Sequence, residues 1–291
     1  MTTYRGRFAP TPSGPLHFGS LFAAVVSFLD ARAAEGHWLV RIEDIDPPRE
    51  QPGAATSILS TLEKHGLFWD ESVTYQSQNS ERYQSYLTKL TELERLFWCT
   101  CSRKDLAGHK LYPGHCRHRL QPVANSAIRL RIDRDDDRFN DLFQGMQHSR
   151  PRDELGDVIL RRRDNLFAYQ LAVVCDDIEQ NVTHVIRGID LLESTYWQRE
   201  LYRVLNAQPP TYGHFAVIHS TGSEQKLSKQ NLAPAVDDTQ PQQNLQQVFR
   251  LLNIHVERDA PEAMLQQAIK QWRRPILIDK QILHCPVFQL D

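Results

Sequence analysis

Apolar residues Leu21, Phe22, Val25, Val26 and Leu29 recur at spacings of three and four and predict an amphipathic helix over 21–35, with Gly36 as its stop. Residues 4–9 before it read as a strand, 10–20 as a loop with three prolines and two glycines, and 38–43 as a second strand, which together predict a parallel α/β beginning. Three prolines make 46–53 a loop, and helices are expected over 54–65 and 80–97. Between 99 and 119 the periodicity stops and Cys, His, Arg and Gly crowd together, the pattern of a metal-stabilised insertion. Apolar and polar alternation then returns. Residues 158–163 and 166–169 read as a hairpin closed by Asp164-Asn165, 183–187 as a strand and 194–205 as a helix. A Pro- and Gln-rich linker over 234–243 leads to two short helices, and no internal repeat is visible.

Composition narrows this picture without fixing it. A chain of 291 residues with 41% hydrophobic content can bury one large or two modest cores, and no apolar run approaches the ~18 residues of a membrane span. Five cysteines, three of them within 99–116, suit a metal site in a reducing compartment better than a disulfide framework, so a cytoplasmic location is expected. The net charge of −2 leaves no global footprint for nucleic acid, and any RNA contact must come from a local basic patch such as Arg117, Arg119 and Arg161 to Arg163.

The richest segment is Arg7-Phe8-Ala9-Pro10-Thr11-Pro12-Ser13-Gly14-Pro15-Leu16-His17-Phe18-Gly19-Ser20, a loop between a strand and a helix. Unpaired N–H groups and the positive end of the dipole at such a helix start favour phosphate. His17 can donate to a phosphate oxygen as charge develops, and the prolines stiffen the loop. Far downstream, Lys226-Leu227-Ser228-Lys229 puts two cations around a hydroxyl in a polar stretch, a combination that can clamp a triphosphate. Neither a GxxxxGK[ST] loop nor a GxGxxG fingerprint is present. Cys99, Cys101 and Cys116 offer three thiolates for a zinc ion, with His109, Tyr112, His115 and His118 open as the fourth ligand; imidazole is by far the commoner choice.

His17-Phe18-Gly19-Ser20 resembles the HIGH signature of class I aminoacyl-tRNA synthetases, with Ser20 in place of the second histidine, and Lys226-Leu227-Ser228-Lys229 resembles their KMSKS loop. The segments around Arg7, Arg41-Ile42-Glu43, Tyr169 and Thr183-His184-Val185-Ile186-Arg187 are similar to the glutamyl branch, and over nearly the whole chain the resemblance is to the glutamyl-queuosine tRNA(Asp) synthetases. The resemblance implies a Rossmann-like parallel α/β sheet in two halves, 1–97 and 161–235, around a zinc-containing α+β insertion, 98–160. A short helical region, 236–291, without an anticodon-binding domain would follow. Carried over by position, His17, Lys226 and Lys229 are the implied catalytic residues, and His17, Gly19, Ser20, Lys226, Ser228 and Lys229 hold ATP with Mg²⁺. Arg7, Phe8, Ala9, Pro10, Thr11, Ser13, Glu43, Tyr169 and Arg187 are the implied L-glutamate site. Tyr112 replaces histidine as the fourth implied ligand of a structural Zn²⁺ with Cys99, Cys101 and Cys116.

The implied reaction forms glutamyl-AMP and passes glutamate to queuosine in the anticodon stem-loop of tRNA(Asp), from a monomer. Little chain follows Lys229, so the sequence is expected to read the anticodon loop with its catalytic body alone. The runner-up is a truncated glutamyl-tRNA synthetase that charges the tRNA 3′ end. From a different class comes a zinc-containing RNA-binding module with an inactive nucleotide fold. The presence of His17, Lys226, Lys229 and the whole glutamate set argues against that third reading.

Overall fold

Strand β1 (Arg5–Phe8) enters the proline-rich loop, α1 (Phe18–Ala33) leaves it, and β2 (His37–Ile42) returns parallel to β1 with Arg7 opposite Leu39. The computed structural model describes residues 3–220, 235–277 and 282–285. After α2 (Ala54–Lys64), β3 (Thr74–Tyr75) pairs parallel to the far side of β2. On the other side of β1, Thr183 N donates to Arg5 O at 2.9 Å and brings in β9 (His184–Gly188), which pairs parallel with β10 (Thr211–Phe215). The two ends of the chain's first two hundred residues thus meet in one parallel layer, as the α/β reading requires.

Helix α1 is buried along most of its length, including Leu21, Phe22, Val25, Val26 and Leu29. Its second face is covered by α7 (Pro241–Leu251) and α8 (Pro261–Gln271), whose Val248, Phe249, Met264 and Leu265 join the same core. Each such side chain contributes roughly 1.5–3 kcal/mol on burial, which makes this central helix the anchor of the loop that precedes it. Asp30 fastens the layers: it accepts from Tyr4 Oη at 2.7 Å, Trp272 Nε1 at 3.0 Å and Arg274 Nε at 2.8 Å. At Gly36 a Cβ would stand 2.5 Å from Tyr4 O, so only glycine lets α1 turn back into β2 there.

The middle of the chain carries α3 (Ser80–Glu92) and an antiparallel sheet of β4 (Leu96–Cys99), β5 (Ala127–Leu130) and β8 (Val158–Arg161), in the order β4-β5-β8. A separate hairpin, β6 (Asp137–Asp141) and β7 (Gly145–Ser149), precedes the one-turn α4 (Pro151–Glu154). Helices α5 (Tyr169–Glu179) and α6 (Leu192–Val204) pack with α3 around a second core that includes Leu87, Leu130, Leu160, Leu171 and Leu201. Strand β11 (Val217–Ser220) pairs parallel with β12 (Ile282–Cys285).

Three boundaries differ from the expectation. The first helix starts at Phe18 rather than 21 because His17 caps it, with extended backbone and its Nδ1 accepting from Ser20 N at 3.3 Å. The expected helix over 80–97 ends at Glu92, since Glu94 turns left-handed and the bulky run Leu96-Phe97-Trp98 pairs as a strand. The expected hairpin narrows to one bridge, Arg161 to Phe167, because Tyr169 already begins α5.

Candidate active site

Loop 9–17 is held against the strand ends by its backbone: Glu43 N donates to Pro10 O at 3.0 Å and Gln51 N to Pro12 O at 3.0 Å. Gly14 has φ +126, a left-handed conformation that lets the loop fold over Gln51. Phe8 is buried at the end of β1, while Ala9, Pro10, Thr11 and Ser13 are half-buried and line the turn above it. Gly19 and Ser20 lie in the first turn of α1, and Ser20 Oγ sits 2.9 Å from His17 Nε2, so the serine in the fourth position of the motif braces the histidine in the first. Ala235, the next described residue after Ser220, bridges to His17, and Val236 N donates to Leu16 O at 2.8 Å. Lys226, Ser228 and Lys229 lie outside the described residues.

Below this loop, charges converge that water does not reach. Arg7 Nε donates to Asp177 Oδ1 at 3.2 Å, and Arg41 Nη2 donates to the same oxygen at 2.7 Å. The paired guanidiniums hold the Asp177 carboxyl below its ordinary range although burial opposes them. Glu43 is only 8% exposed, and its Oε1 accepts no hydrogen bond; Arg41 Nη2 stands 3.6 Å away. Burial outweighs the neighbouring Arg41 and Arg7 and pushes the Glu43 carboxyl up to about 7.

Arg187 is 5% exposed and, among the described residues, has neutral partners only. Nη1 donates to Tyr169 Oη at 3.2 Å, Nη2 to Thr195 Oγ1 at 2.8 Å and to Leu191 O at 3.3 Å, and Nε to His214 Nε2 at 3.0 Å. Burial raises the pKa of the Tyr169 hydroxyl, with Arg187 opposing it. A guanidinium buried among neutral partners is costly by several kcal/mol. Glu43, ion-paired with Arg41 at 3.6 Å, keeps an oxygen that accepts no hydrogen bond, so the two side chains fit a ligand that carries both an anion and a cation.

Arg187 thus meets Tyr169, and Arg7 and Glu43 are linked through Asp177 and Arg41. Sequence reasoning missed Arg41, Asp177, Thr195, His214 and Asp141. Arg41 was recoverable, because the two-residue period of a strand puts it on the face of Glu43. His214 and Asp141 carry no local signal, being 73 residues apart in the chain.

The cysteine cluster stands apart. Cys99, Cys101 and Cys116 bring their sulfurs within 4.8 Å of one another, the one such metal-binding group among the described residues. Cys101 Sγ lies 3.8 Å from Tyr112 Oη, and Tyr112 stacks on Phe97 at 5.6 Å. None of the three histidines left open by the sequence joins the group. The donor set suits a borderline-soft ion such as zinc: three thiols in a small apolar nest, with a phenol at hand. On the opposite side of the same sheet region, a cleft of about 230 Å³ is lined by Trp98, Ile128, Arg161 and Arg163.

Residues 3–272 match the model of the tRNA synthetases class I (E and Q), catalytic domain. A Glutamyl-Q tRNA(Asp) synthetase of Idiomarina loihiensis is 47% identical over 92% of this chain and 96% of that protein. Proteins of the same name from Vibrio cholerae and Escherichia coli K12 are 46% and 44% identical, over 91% and 97% of the chain and 88% and 93% of their own lengths. In fold, the chain superposes with TM-score 0.83 on a glutamate tRNA ligase from Elizabethkingia meningosepticum crystallised with its amino acid, at 21% identity over 98% of this chain and 67% of that one. A parallel sheet with a motif-bearing first helix, a family match over 3–272 and this degree of identity lead to one assignment: the chain belongs to the class I tRNA synthetases of the E and Q group, within the glutamyl-Q tRNA(Asp) synthetase family.

Proposed function

We propose that the chain is a ligase that activates L-glutamate with ATP and transfers it to queuosine in the anticodon loop of tRNA(Asp). The observation that carries the amino-acid half is Arg187, buried among neutral partners, together with Glu43, whose Oε1 accepts no hydrogen bond although Arg41 stands 3.6 Å away. Arg187 and the Tyr169 hydroxyl would take one glutamate carboxylate, Glu43 the ammonium, and Arg7 with Ser13 and the rest of loop 8–13 the other end of the substrate. Charge-assisted bonds in such a dry site discriminate strongly against ligands that leave one of these charges unpaired.

In the first step the glutamate α-carboxylate oxygen bonds to the α-phosphorus of ATP as the bond to the bridging oxygen breaks, and pyrophosphate carries the electron pair away. His17, Gly19 and Ser20 at the start of α1 would face the phosphates. Lys226, Ser228 and Lys229 are assigned to the departing pyrophosphate, an assignment supported by the bridge that brings Ala235 back to His17. Mg²⁺ bound with ATP would neutralise phosphate charge. Positioning and electrostatics supply the acceleration, with no protein nucleophile. In the second step a hydroxyl of the queuosine ring attacks the acyl carbon, and AMP leaves.

Cys99, Cys101, Cys116 and Tyr112 would hold a structural Zn²⁺ within the insertion 98–160, between the catalytic halves 1–97 and 161–235, with 236–291 packed behind α1. Adenylate formation is tested by ATP–pyrophosphate exchange with glutamate, glutamine and aspartate. Exchange is expected with glutamate and at least about 100-fold weaker with the other two, the scale of discrimination when a site's charge is left unpaired. Equal exchange with glutamine would remove Arg187 from carboxylate recognition.

A further inference from the structure

We propose that His214, oriented by Asp141, is a positioning residue that fixes the Arg187 guanidinium in the geometry that receives the glutamate carboxylate. The inference rests on the reading of Arg187 given above and extends it to residues outside the substrate's reach. Arg187 Nε–H can only donate, so the nitrogen it meets at 3.0 Å, His214 Nε2, must be the unprotonated one. The imidazole proton then sits on Nδ1, which is 2.6 Å from Asp141 Oδ2 and donates to it.

Asp141 is itself locked. Its Oδ1 accepts from the backbone N–H groups of Phe143, Gln144 and His214, each at 3.0 Å. Asp141, His214 and Arg187 are all buried, so no water competes for these bonds. Asp141 closes β6, and the turn that follows is tied to β10 by Leu142 N to Tyr212 O at 2.9 Å and Gln144 Nε2 to His214 O at 2.8 Å. The chain of donors therefore runs from Arg187 through His214 to the Asp141 carboxylate at the end of β6.

The consequence for Arg187 is specific. Of its five N–H groups, Nε is held by His214, both on Nη2 by Thr195 and Leu191, and one on Nη1 by Tyr169. One N–H on Nη1, beside the Tyr169 hydroxyl, has no partner among the described residues and is the one left for a carboxylate. Losing the acceptor at Nε would let the planar fork rotate and move that donor away.

The test is the isosteric change Asp141→Asn. Its amide keeps an oxygen for the three backbone N–H groups and turns an NH₂ toward His214 Nδ1. The imidazole must then carry its proton on Nε2, where it opposes Arg187 Nε–H. In the full-length protein, the KM for glutamate in ATP–pyrophosphate exchange should rise about 10- to 100-fold, the usual scale for losing a partner that orients a ligand-binding side chain. The KM for ATP should stay within about twofold. His214→Gln, which presents an amide oxygen near the position of Nε2, should retain glutamate binding to within a few fold, and adding Asp141→Asn to it should cost little more.

An unchanged glutamate KM in Asp141→Asn would overturn the proposal. So would an equal penalty from Asp141→Asn in the wild-type and His214→Gln backgrounds, because the effect would then not pass through the imidazole. Arg187→Ala run in parallel separates the two layers. If it too leaves the glutamate KM unchanged, the carboxylate reading of Arg187 is wrong; if it raises KM while Asp141→Asn does not, only the positioning role is lost.

Discussion

Glu43, proposed above to take the substrate's ammonium, shows at the scale of one residue what burial does to a carboxyl whose nearest cation is 3.6 Å away. Its Oε1 is buried and accepts no hydrogen bond, and burial lifts its carboxyl from 4.5 to about 7. Between those values the folded chain holds the Glu43 proton more tightly than the unfolded chain does. Stability from this group is therefore greatest at low pH and falls as pH rises through about 7. The ammonium of a bound amino acid needs the ionised form, so function and stability pull in opposite directions. The glutamate KM should be level above about pH 8 and rise about tenfold per unit below about 6, as expected of one required ionisation. Glu43→Gln should bind glutamate poorly at every pH yet melt no lower than wild type at pH 8. A flat KM across this range, or a large loss of stability in Glu43→Gln, would show that Glu43 serves its ion pair with Arg41 rather than the substrate's ammonium. Arg7, Glu43, Tyr169 and Arg187 were singled out in the sequence because their segments resemble the glutamyl branch. Asp141 and His214 were not, since their meaning arises only when two distant strands touch.

Elements were legible where periodicity was long and one-sided. The helix over 21–35 and the strands around it follow from spacing alone, and α1 differs only in starting at the His17 cap. The insertion was opaque for the opposite reason: β5, β6 and β7 are short, and β6 alternates buried and exposed charges such as Asp137, Arg138 and Asp141, a pattern that resembles surface loop. Its local core near the cysteines is small, Phe97, Cys99 and Cys116 with Cys101 and Tyr112 against them, so a metal ion would supply much of the order there. Chelation of the purified protein should release about one zinc per chain. It should also expose the segment 100–119 to limited proteolysis, while glutamate-dependent pyrophosphate exchange largely persists. No zinc by metal analysis, or proteolysis indifferent to chelator, would contradict the assignment of the cysteine cluster. Loss of all exchange would place the metal in the adenylation site.

At the scale of the molecule, the parallel strands deliver loop 9–17, Glu43 just past the end of β2 and Arg187 of β9 to one end of the layer, the usual place for a ligand in an open α/β sheet. The turn after β8 lies at the same end: Arg162 reaches Asp46, just past Glu43, at 3.2 Å, while Arg161 and Arg163 line the cleft beside Trp98. An RNA strand that leaves the amino-acid site over this turn would meet cations and an indole, groups suited to phosphates and unpaired bases. That path was only partly visible in the sequence, where Arg161 to Arg163 could equally be a solvated face. No helix among the described residues is long and apolar enough to cross a membrane.

The most direct measurement of the central claim is the destination of the activated amino acid. Radiolabelled glutamate and ATP should be given to tRNA(Asp) with and without queuosine, to tRNA(Glu), and to each after periodate treatment, which destroys the 3′-terminal diol. The account predicts label on queuosine-containing tRNA(Asp) and none on its queuosine-free form. Because the queuosine ring also carries a cis-diol, periodate before the reaction should abolish that labelling, and nuclease digestion should recover the label on the anticodon-loop nucleotide. Label at the 3′ end of tRNA(Glu), with none on queuosine-containing tRNA(Asp), would contradict it.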